Sequence, residues 1–281
     1  MPADPALTAE PADWLGWAVA VAVIAFLAAA GTTLARLRRG DPLIPARPQR
    51  PVPWQGGDVL LVIVAYLQLT LLAGAILGRE PAIDRLLAAN LLIITAATGL
   101  AIAWLVGRGA TRADLGLVAG DLRADAALAA VGLGLVLAPL LALAAALNAL
   151  VPYDHPVVEF LTGRRDLPAV GLVVATAVVA APIGEELFFR RVLQGWLEKV
   201  FADGQSPLAI VCSAGAFALA HQGQGLAYVP LFPLGLVLGF MARQTGSIVP
   251  CIILHALFNA VSVGLLLAEP VPPPPAEVAA W

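Results

Sequence analysis

Residues 169–190 read AVGLVVATAVVAAPIGEELFFR. The stretch is apolar and long enough for a membrane-spanning helix, which needs about 20 residues, yet it contains Glu185, Glu186 and Arg190. A charge at the bilayer centre costs about 2.5–3.5 kcal/mol on insertion scales, so such residues mark candidate functional sites. Glu186 and Arg190 are four residues apart and are predicted to pair on one helix face. Glu185 points about 100° away and has no cation near it in sequence. The alternative interpretation is a helix end that reaches the interface with ordinary salt bridges.

The composition of the whole chain is that of a membrane protein. Of its 281 residues 60% are hydrophobic and 12% are charged, and the mean hydropathy is +0.88. A soluble domain has about twice that share of charged residues. The net charge is −3, and the chain has no long basic block, so nucleic acid is not expected as a partner.

Long apolar runs predict an all-α, polytopic integral membrane protein with about eight transmembrane helices. The runs lie at residues 14–35, 59–78, 86–107, 126–151, 169–189, 207–221, 227–242 and 248–268. The sixth and seventh are short and are predicted to be a tilted or partly re-entrant pair. The first four runs contain no Asp, Glu, Lys, Arg or His and are predicted to be lipid-facing or packing helices. Residues 1–125 are expected to form a scaffold. Residues 126–268 are expected to form the domain that carries the site, followed by a proline-rich tail at 269–281.

The loops differ in charge, which predicts an orientation. The leader contains Asp4, Glu10 and Asp13, so the first run is expected to be an uncleaved helix and not a signal peptide. The next loop contains Arg36, Arg38, Arg39, Arg47 and Arg50, which by the positive-inside rule lies in the cytoplasm. Counting onward places both ends of the chain outside, and the opposite loops hold only Arg79, Arg85, Arg164 and Arg165.

Two further polar motifs lie in the C-terminal runs. Phe217 precedes His221 by one turn and could wall its imidazole on one side, while His221 by itself is typical of a helix end, because glycines follow it. His255 and Asn259 are four residues apart and project from one face of an apolar helix. Their alternative role is an interhelical hydrogen-bond staple.

Depth in the membrane connects these motifs. If the fifth helix runs on to a turn near Asp203 and Gly204, Glu185 and His221 lie about 28 and 26 Å from that turn. An antiparallel hairpin would therefore bring the two residues level with each other. The active site is accordingly expected in the C-terminal helices.

The motif set Glu185-Glu186-x3-Arg190, Phe217-x3-His221 and His255-x3-Asn259, in this order on successive helices, resembles the CPBP intramembrane protease family. That family joins type II CAAX prenyl endopeptidases to bacteriocin-processing and immunity proteins (Abi). The motifs cover about a quarter of the chain. Asp114-Leu-Gly-Leu, before the fourth run, is similar to a segment often found upstream in the family.

The resemblance implies an intramembrane endopeptidase. The hairpin turn and Arg243 fall on the predicted cytoplasmic side, so the hydrolysed peptide bond is expected near that interface. It implies that Glu185 and His221 activate a water, that His255 and Asn259 stabilise the oxyanion, and that Glu186 and Arg190 brace the site. These roles fit a positioned base and donors aimed at developing negative charge. Glu185, His221 and His255 could also form a zinc site of two His and one Glu, and family members are often labelled metalloproteases. Since the chain has no His-Glu-x-x-His, we favour a reaction without metal or other cofactor.

Other chemistries and functions are less favoured by the sequence. There is no Gly-x-Ser-Gly and no pair of intramembrane aspartates; Cys251, one turn before His255, leaves a cysteine nucleophile open. His155 is expected to be an ordinary loop residue. The alternatives to a peptidase are a non-catalytic immunity or scaffold protein and a proton-coupled transporter. The expected partners are the lipid bilayer and a peptide or membrane-protein substrate, and the composition is typical of a bacterial inner or plasma membrane protein. The sequence indicates no oligomeric state.

Overall fold

The structure is a computed structural model that describes residues 14–44, 46–47, 51–79, 81–118, 120–153, 155–201 and 206–269. Several sequence-based predictions lie outside these residues: the acidic leader, Arg50, the turn at Asp203 and Gly204, and the proline-rich tail.

The described residues are helical and contain no strand, which confirms the all-α prediction. We number the helices in chain order. They are α1 (Trp14–Arg38), α2 (Gly56–Leu77), α3 (Ile83–Gly107), α4 (Leu122–Asn148), α5 (Pro156–Gly163), α6 (Leu167–Val200), α7 (Leu208–Leu219), α8 (Tyr228–Thr245) and α9 (Val249–Ala268).

Six of these helices are long and apolar enough to cross a membrane: α1, α2, α3, α4, α6 and α9. The chain is therefore a multi-pass membrane protein, but the predicted count of eight spans is not confirmed. The sixth and seventh predicted spans correspond to α7, with 12 residues, and α8, with 18. At 1.5 Å per residue α7 is about 18 Å long, which is too short for a hydrocarbon core of about 30 Å. Helices α7 and α8 pack together as a pair. The orientation deduced from the loop charges stays a prediction.

The loops predicted to share one side do meet at one end of the bundle, which we call the basic end and which holds Arg47, Arg108, Arg191, Lys199 and Arg243. Lys199 Nζ donates to the carbonyls of Val52 and Trp54 at 3.0 and 2.7 Å. The backbone amide of Arg47 donates to the carbonyl of Gln244 at 2.8 Å. These bonds tie the α1–α2 loop to the ends of α6 and α8.

The opposite end of the bundle is closed by α5 and the start of α6. Asp166 caps α6 by accepting a hydrogen bond from the amide of Ala169 at 3.1 Å. The hydrogen bond from Arg164 lowers the pKa of Asp166. Arg165 donates to the carbonyls of Leu266 and Leu267 and so satisfies the end of α9.

Helix α6 is not a regular α-helix. It contains two π-helical segments, Val174–Ala180 and Glu186–Leu193, on either side of the short α-helical turn Ala181–Glu185. Pro182 lies in that turn and has no amide hydrogen to donate. Such segments are rare in proteins overall but occur often at functional sites. Here Glu185 ends the turn between the two segments, and Glu186 begins the second segment.

Small residues let neighbouring helices approach α6 and α9 closely, as is common in membrane bundles. A Cβ atom at Gly184 would lie 2.7 Å from Oγ1 of Thr98 on α3. A Cβ atom at Gly132 of α4 would lie 2.6 Å from Cδ1 of Leu254 on α9. A methyl group at either glycine would therefore press on a side chain of the neighbouring helix.

Candidate active site

A cavity of about 1660 Å³ opens among the helices, and the predicted site residues gather on it. Glu185, His221, His255 and Asn259 all line it. Its remaining walls are mostly apolar and include side chains of the four N-terminal helices α1–α4. The structure thus brings residues from α6, α9 and the end of α7 to one cavity.

Glu186 lies behind the cavity wall and is fully buried. One carboxylate oxygen accepts a hydrogen bond from Arg190 Nε at 3.1 Å, which confirms the predicted pair on one helix face. The other carboxylate oxygen lies 2.8 Å from His255 Nδ1. Glu186 therefore joins α6 to α9 and fixes the orientation of the His255 ring, in the way that carboxylates orient histidines in many sites.

Arg190 is held on three sides. Besides Glu186, its guanidinium lies 3.4 Å from the hydroxyl of Ser213 on α7 and 4.7 Å from the centre of the Phe217 ring. Ser213 in turn donates to the carbonyl of Phe189 at 2.6 Å. Both partners of the Glu186–Arg190 pair are buried, and breaking such a pair is strongly destabilising. Sequence reasoning missed Ser213, because one serine in an apolar run gives no signal by itself.

Glu185 and His255 face each other across the cavity edge. Glu185 Oε2 lies 3.8 Å from His255 Nε2, and the side chains are 24% and 4% exposed. Glu185 Oε2 is buried and accepts no hydrogen bond. Nδ1 of His255 donates to Glu186, so Nε2 is an acceptor when the ring is neutral and a donor toward Glu185 when the ring is protonated. In the neutral form, a water molecule could bridge Nε2 and Oε2 with its two O–H groups.

His221 reaches the cavity from the end of α7. Its Nδ1 lies 2.9 Å from the carbonyl of Phe217, so Nδ1 must be the donor. This bond satisfies a carbonyl that the helix end would leave open, because the His221 amide donates to Ala218 instead. The Nε2 atom is left for the cavity. The structure gives no direct contact between His221 and Glu185; the histidine that contacts Glu185 is His255.

Phe217 lies between the polar groups of the site. Its ring meets those of His221, His255 and Phe189 edge to face, at centroid distances of 5.1, 5.7 and 5.4 Å. The prediction that Phe217 walls the His221 imidazole is confirmed, and the same ring also separates the two histidines. Aromatic contacts of this kind fix ring orientation at little entropic cost.

Asn259 makes an interhelical hydrogen bond. Its amide nitrogen donates to the carbonyl of Ala177 on α6 at 2.8 Å. In the π-helical register of this segment, Thr176 O accepts from the amide of Ala181, so the amide that would serve Ala177 belongs to Pro182 and does not exist. Asn259 thus replaces the hydrogen bond that Pro182 removes. One further N–H of the same amide group is left for the cavity.

The segment Asp114-Leu-Gly-Leu is part of the support at the basic end. The carbonyl of Asp114 accepts a hydrogen bond from Arg191, and the carbonyl of Gly116 accepts from the amide of Ile248 at 2.9 Å. Gly116 has a φ of +68°, which favours glycine. The segment therefore links α6 to the start of α9, one turn before Cys251.

Two further residues singled out by sequence have partners other than the glutamates. Cys251 is fully buried, and its thiol donates to the carbonyl of Leu238 at 3.3 Å, which fits a packing role. His155 caps α5, since its Nδ1 accepts from the amide of Val157 at 3.0 Å. It stacks on Tyr153 at 5.8 Å, and both line the outer part of the cavity.

The part of the chain that the structure describes contains no metal site with three or more side-chain ligands. No three His, Cys, Asp or Glu side chains in it lie close enough together to hold an ion. Glu185, His221 and His255 do not come together as such a group in the described residues; a reaction without metal stays a prediction.

Comparison with known proteins gives one family. Residues 168–261 match the family of type II CAAX prenyl endopeptidases described as Rce1-like. The match begins at the start of α6, ends just after Asn259 and falls within the expected domain of residues 126–268. It confirms the resemblance deduced from the motifs and supports a membrane peptidase of the CAAX-protease type. No curated protein and no solved structure matches the chain significantly.

Proposed function

We propose that this protein is an intramembrane endopeptidase in which Glu185, as general base, activates the water that attacks a peptide carbonyl. The observation that carries the proposal is the approach of Glu185 Oε2 to His255 Nε2, 3.8 Å apart at the edge of the cavity; both atoms are acceptors when the His255 ring is neutral. A water bound between them would be oriented by both atoms, and either atom could take its proton.

The supporting residues would act through His255. Arg190 holds Glu186 at 3.1 Å, and Glu186 holds His255 at 2.8 Å. This chain fixes the ring so that Nε2 points toward the cavity, as the buried carboxylate does for the histidine of a hydrolytic triad. In our proposal Glu185 takes a proton from the attacking water, and the proton then passes to the leaving amine.

The oxyanion formed at the carbonyl needs donors that are already in place. Asn259 has a second N–H beyond the one given to Ala177, and we assign it this role. The role of His221 is less directly supported by geometry, because its Nδ1 is engaged with Phe217. We propose that its Nε2 contacts the substrate or the attacking water from the other side of Phe217.

We expect the substrate to be a peptide segment that enters the cavity within the membrane. Most of the cavity wall is apolar, so it suits an apolar chain, and the groups that we assign to hydrolysis lie on its Glu185 side. The polypeptide orientation deduced from the loop charges places the basic end in the cytoplasm. We accordingly propose that cleavage occurs near the cytoplasmic face of a plasma or inner membrane.

The experiment is proteolysis of a labelled peptide library by the full chain in proteoliposomes. Wild type is compared with Glu185→Gln, which keeps the size of the side chain and removes the base. The matched control is Glu159→Gln, a change of an exposed carboxylate in α5, away from the cavity. Products with wild type and Glu159→Gln but not with Glu185→Gln are the expected result. Equal products with all three would refute the proposal.

One observation favours a second candidate, the non-catalytic scaffold or immunity protein. Glu186, Arg190 and Asn259 all make bonds that hold helices together, and a purely structural role would use them in the same way. That candidate does not explain the unbonded oxygen of Glu185. A folded wild type that cleaves no member of a broad library would favour it.

A further inference from the structure

Helix α2 presents one tyrosine to the cavity of the candidate active site. Four residues on one face of α2 line this cavity: Val62, Ile63, Tyr66 and Leu67. The other three side chains are apolar, so Tyr66 is the one among them that can donate a hydrogen bond. It lies before the matched residues 168–261, in the part of the chain that the sequence predicts to be a scaffold.

The packing of α2 against α3 fixes the depth of Tyr66. Trp104 Nε1 of α3 donates to the carboxylate of Asp58 of α2 at 2.9 Å, which sets the register of these two antiparallel helices. Tyr66 follows Asp58 by eight residues, which is about 12 Å along the helix axis. Eight residues back from Trp104 on α3 is Ala96, so Tyr66 lies close to the level of Ala96.

Helix α6 meets α3 at the same level. A Cβ atom at Gly184 would lie 2.7 Å from Oγ1 of Thr98 and 3.1 Å from Cγ2 of Ile94. These two residues are two positions after and two positions before Ala96. Since Glu185 directly follows Gly184, the register of three helices places Tyr66 and Glu185 at one depth in the bundle.

The two side chains also approach the same part of the cavity. The hydroxyl of Tyr66 lies within electrostatic range of the Glu185 carboxylate, and both residues line the cavity. The phenol has a polar neighbour on its own helix in Thr70, whose hydroxyl donates to the backbone carbonyl of Tyr66 at 3.0 Å. Tyr66 and Glu185 are therefore near neighbours that face one volume from different helices.

A peptide that is cleaved inside this cavity needs hydrogen-bond donors for its backbone. The bond to be hydrolysed must leave helical pairing before water can reach it, and nearby carbonyl oxygens then lose their donors. An unpaired carbonyl is costly in an apolar cavity within the membrane. A phenol supplies a donor without adding a charge to the wall, and Tyr66 has the depth at which such a donor is needed.

We propose that Tyr66 is a substrate-binding residue whose hydroxyl donates a hydrogen bond to a backbone carbonyl of the peptide held in front of Glu185. The inference rests on the proposed function, since it names one contact of the same substrate. It gives α2 a direct part in the site, because the peptide then lies between the tyrosine of α2 and the glutamate of α6.

Tyr66→Phe removes the hydroxyl and keeps the ring. Since the hydrogen bond forms when the peptide binds and is kept in the transition state, we expect KM for a cleaved peptide to rise about 10-fold, the usual cost of one buried carbonyl left unpaired. We expect kcat to stay within about twofold. The control is Tyr228→Phe, the same change at the start of α8, at a described residue that does not line the cavity.

A Tyr66→Phe protein with the KM of wild type would overturn the inference. A fall in kcat alone would also count against it, because it would mean that the hydroxyl acts on the reaction and not on binding. An equal rise of KM in Tyr228→Phe would have the same consequence, since it would indicate a general loosening of the bundle.

The placement of Tyr66 can be tested without a substrate. The chain has three tyrosines, so a sample with ¹³Cζ-labelled tyrosine in lipid vesicles gives few signals, and Tyr66→Phe assigns that of Tyr66. We expect Glu185→Gln to shift the Tyr66 signal and Glu159→Gln, in α5, to leave it in place. An unchanged Tyr66 signal in a folded Glu185→Gln protein would overturn the inference.

The same signal separates this inference from the proposed function. If wild type cleaves no member of the peptide library, the proposed function fails, and the intact peptides are then added to the labelled wild-type protein. A shift of the Tyr66 signal with a peptide, absent from vesicles without peptide, would support the binding role of Tyr66 even without cleavage. A Tyr66 signal that no peptide of the library shifts would overturn the inference.

Discussion

The hydrogen bond from Asn259 to the carbonyl of Ala177 can be tested sharply, because Pro182, the residue that makes it necessary, can be changed separately. Asn259→Leu preserves the size of the side chain and leaves the Ala177 oxygen without a donor. An unsatisfied buried acceptor costs about 1–3 kcal/mol, whereas interhelical hydrogen bonds in membranes average about 0.6 kcal/mol and reach about 1.7. We therefore expect the free energy of unfolding to fall by about 1–2 kcal/mol.

Pro182→Ala supplies the amide that the π-helical segment lacks. Combined with Asn259→Leu, it should allow the Ala177 oxygen to find a donor within α6 and restore most of the lost stability. A double-mutant cycle of unfolding in detergent measures the coupling, which we expect to be about 1 kcal/mol. Two effects that simply add would refute the idea that Asn259 compensates for Pro182.

The same four proteins separate stability from catalysis. If Asn259 also donates to the oxyanion, the double variant regains stability but still cleaves about 100- to 1000-fold more slowly than wild type, the usual cost of one such donor. Recovery of both stability and cleavage would assign Asn259 a purely structural role and contradict its place in the proposed mechanism.

Further predictions concern packing, the thiol and metal. Gly184→Ala places a methyl group within 2.7 Å of Thr98 Oγ1 and should destabilise the protein by about 1–3 kcal/mol in thermal unfolding. Gly171→Ala in the same helix has nothing within 4 Å of its new Cβ and should cost nothing, so equal losses would contradict the packing described here. Cys251→Ala should retain cleavage, since the thiol is buried against Leu238; complete loss in a folded variant would point to a cysteine nucleophile. Cleavage should survive prolonged dialysis against a chelator, and activity lost there and regained with zinc would contradict a reaction without metal.

The local part of the site could be predicted from sequence, and its tertiary part could not. The Glu186–Arg190 pair follows from helical spacing alone, and the contact of Phe217 with His221 follows from the same rule. The contact of Glu186 with His255 joins residues 69 positions apart, and no periodic pattern specifies which face of α9 meets α6. For this reason the sequence suggested His221 as the partner of Glu185, while the structure brings His255 to it.

Hydropathy could not predict two features of the fold: the short helix α7 and the π-helical segments of α6. An apolar run shows that a segment is buried in lipid or protein, but it does not distinguish a spanning helix from the 12-residue α7, and this is why two of the eight expected spans are not confirmed. The π-helical segments of α6 change the hydrogen-bond register without changing composition. The sequence shows that Pro182 has no amide hydrogen to donate. That Asn259 supplies the missing hydrogen bond depends on how two helices pack, which the sequence does not show.

The central claim is that Glu185 activates the water that cleaves the peptide bond. The most direct measurement is kcat/KM for one cleaved peptide in proteoliposomes, with wild type and Glu185→Gln shown to unfold at the same temperature. We predict a loss of at least about 100-fold, the usual contribution of a general base. A Glu185→Gln protein that cleaves within a few-fold of the wild-type rate would contradict the claim.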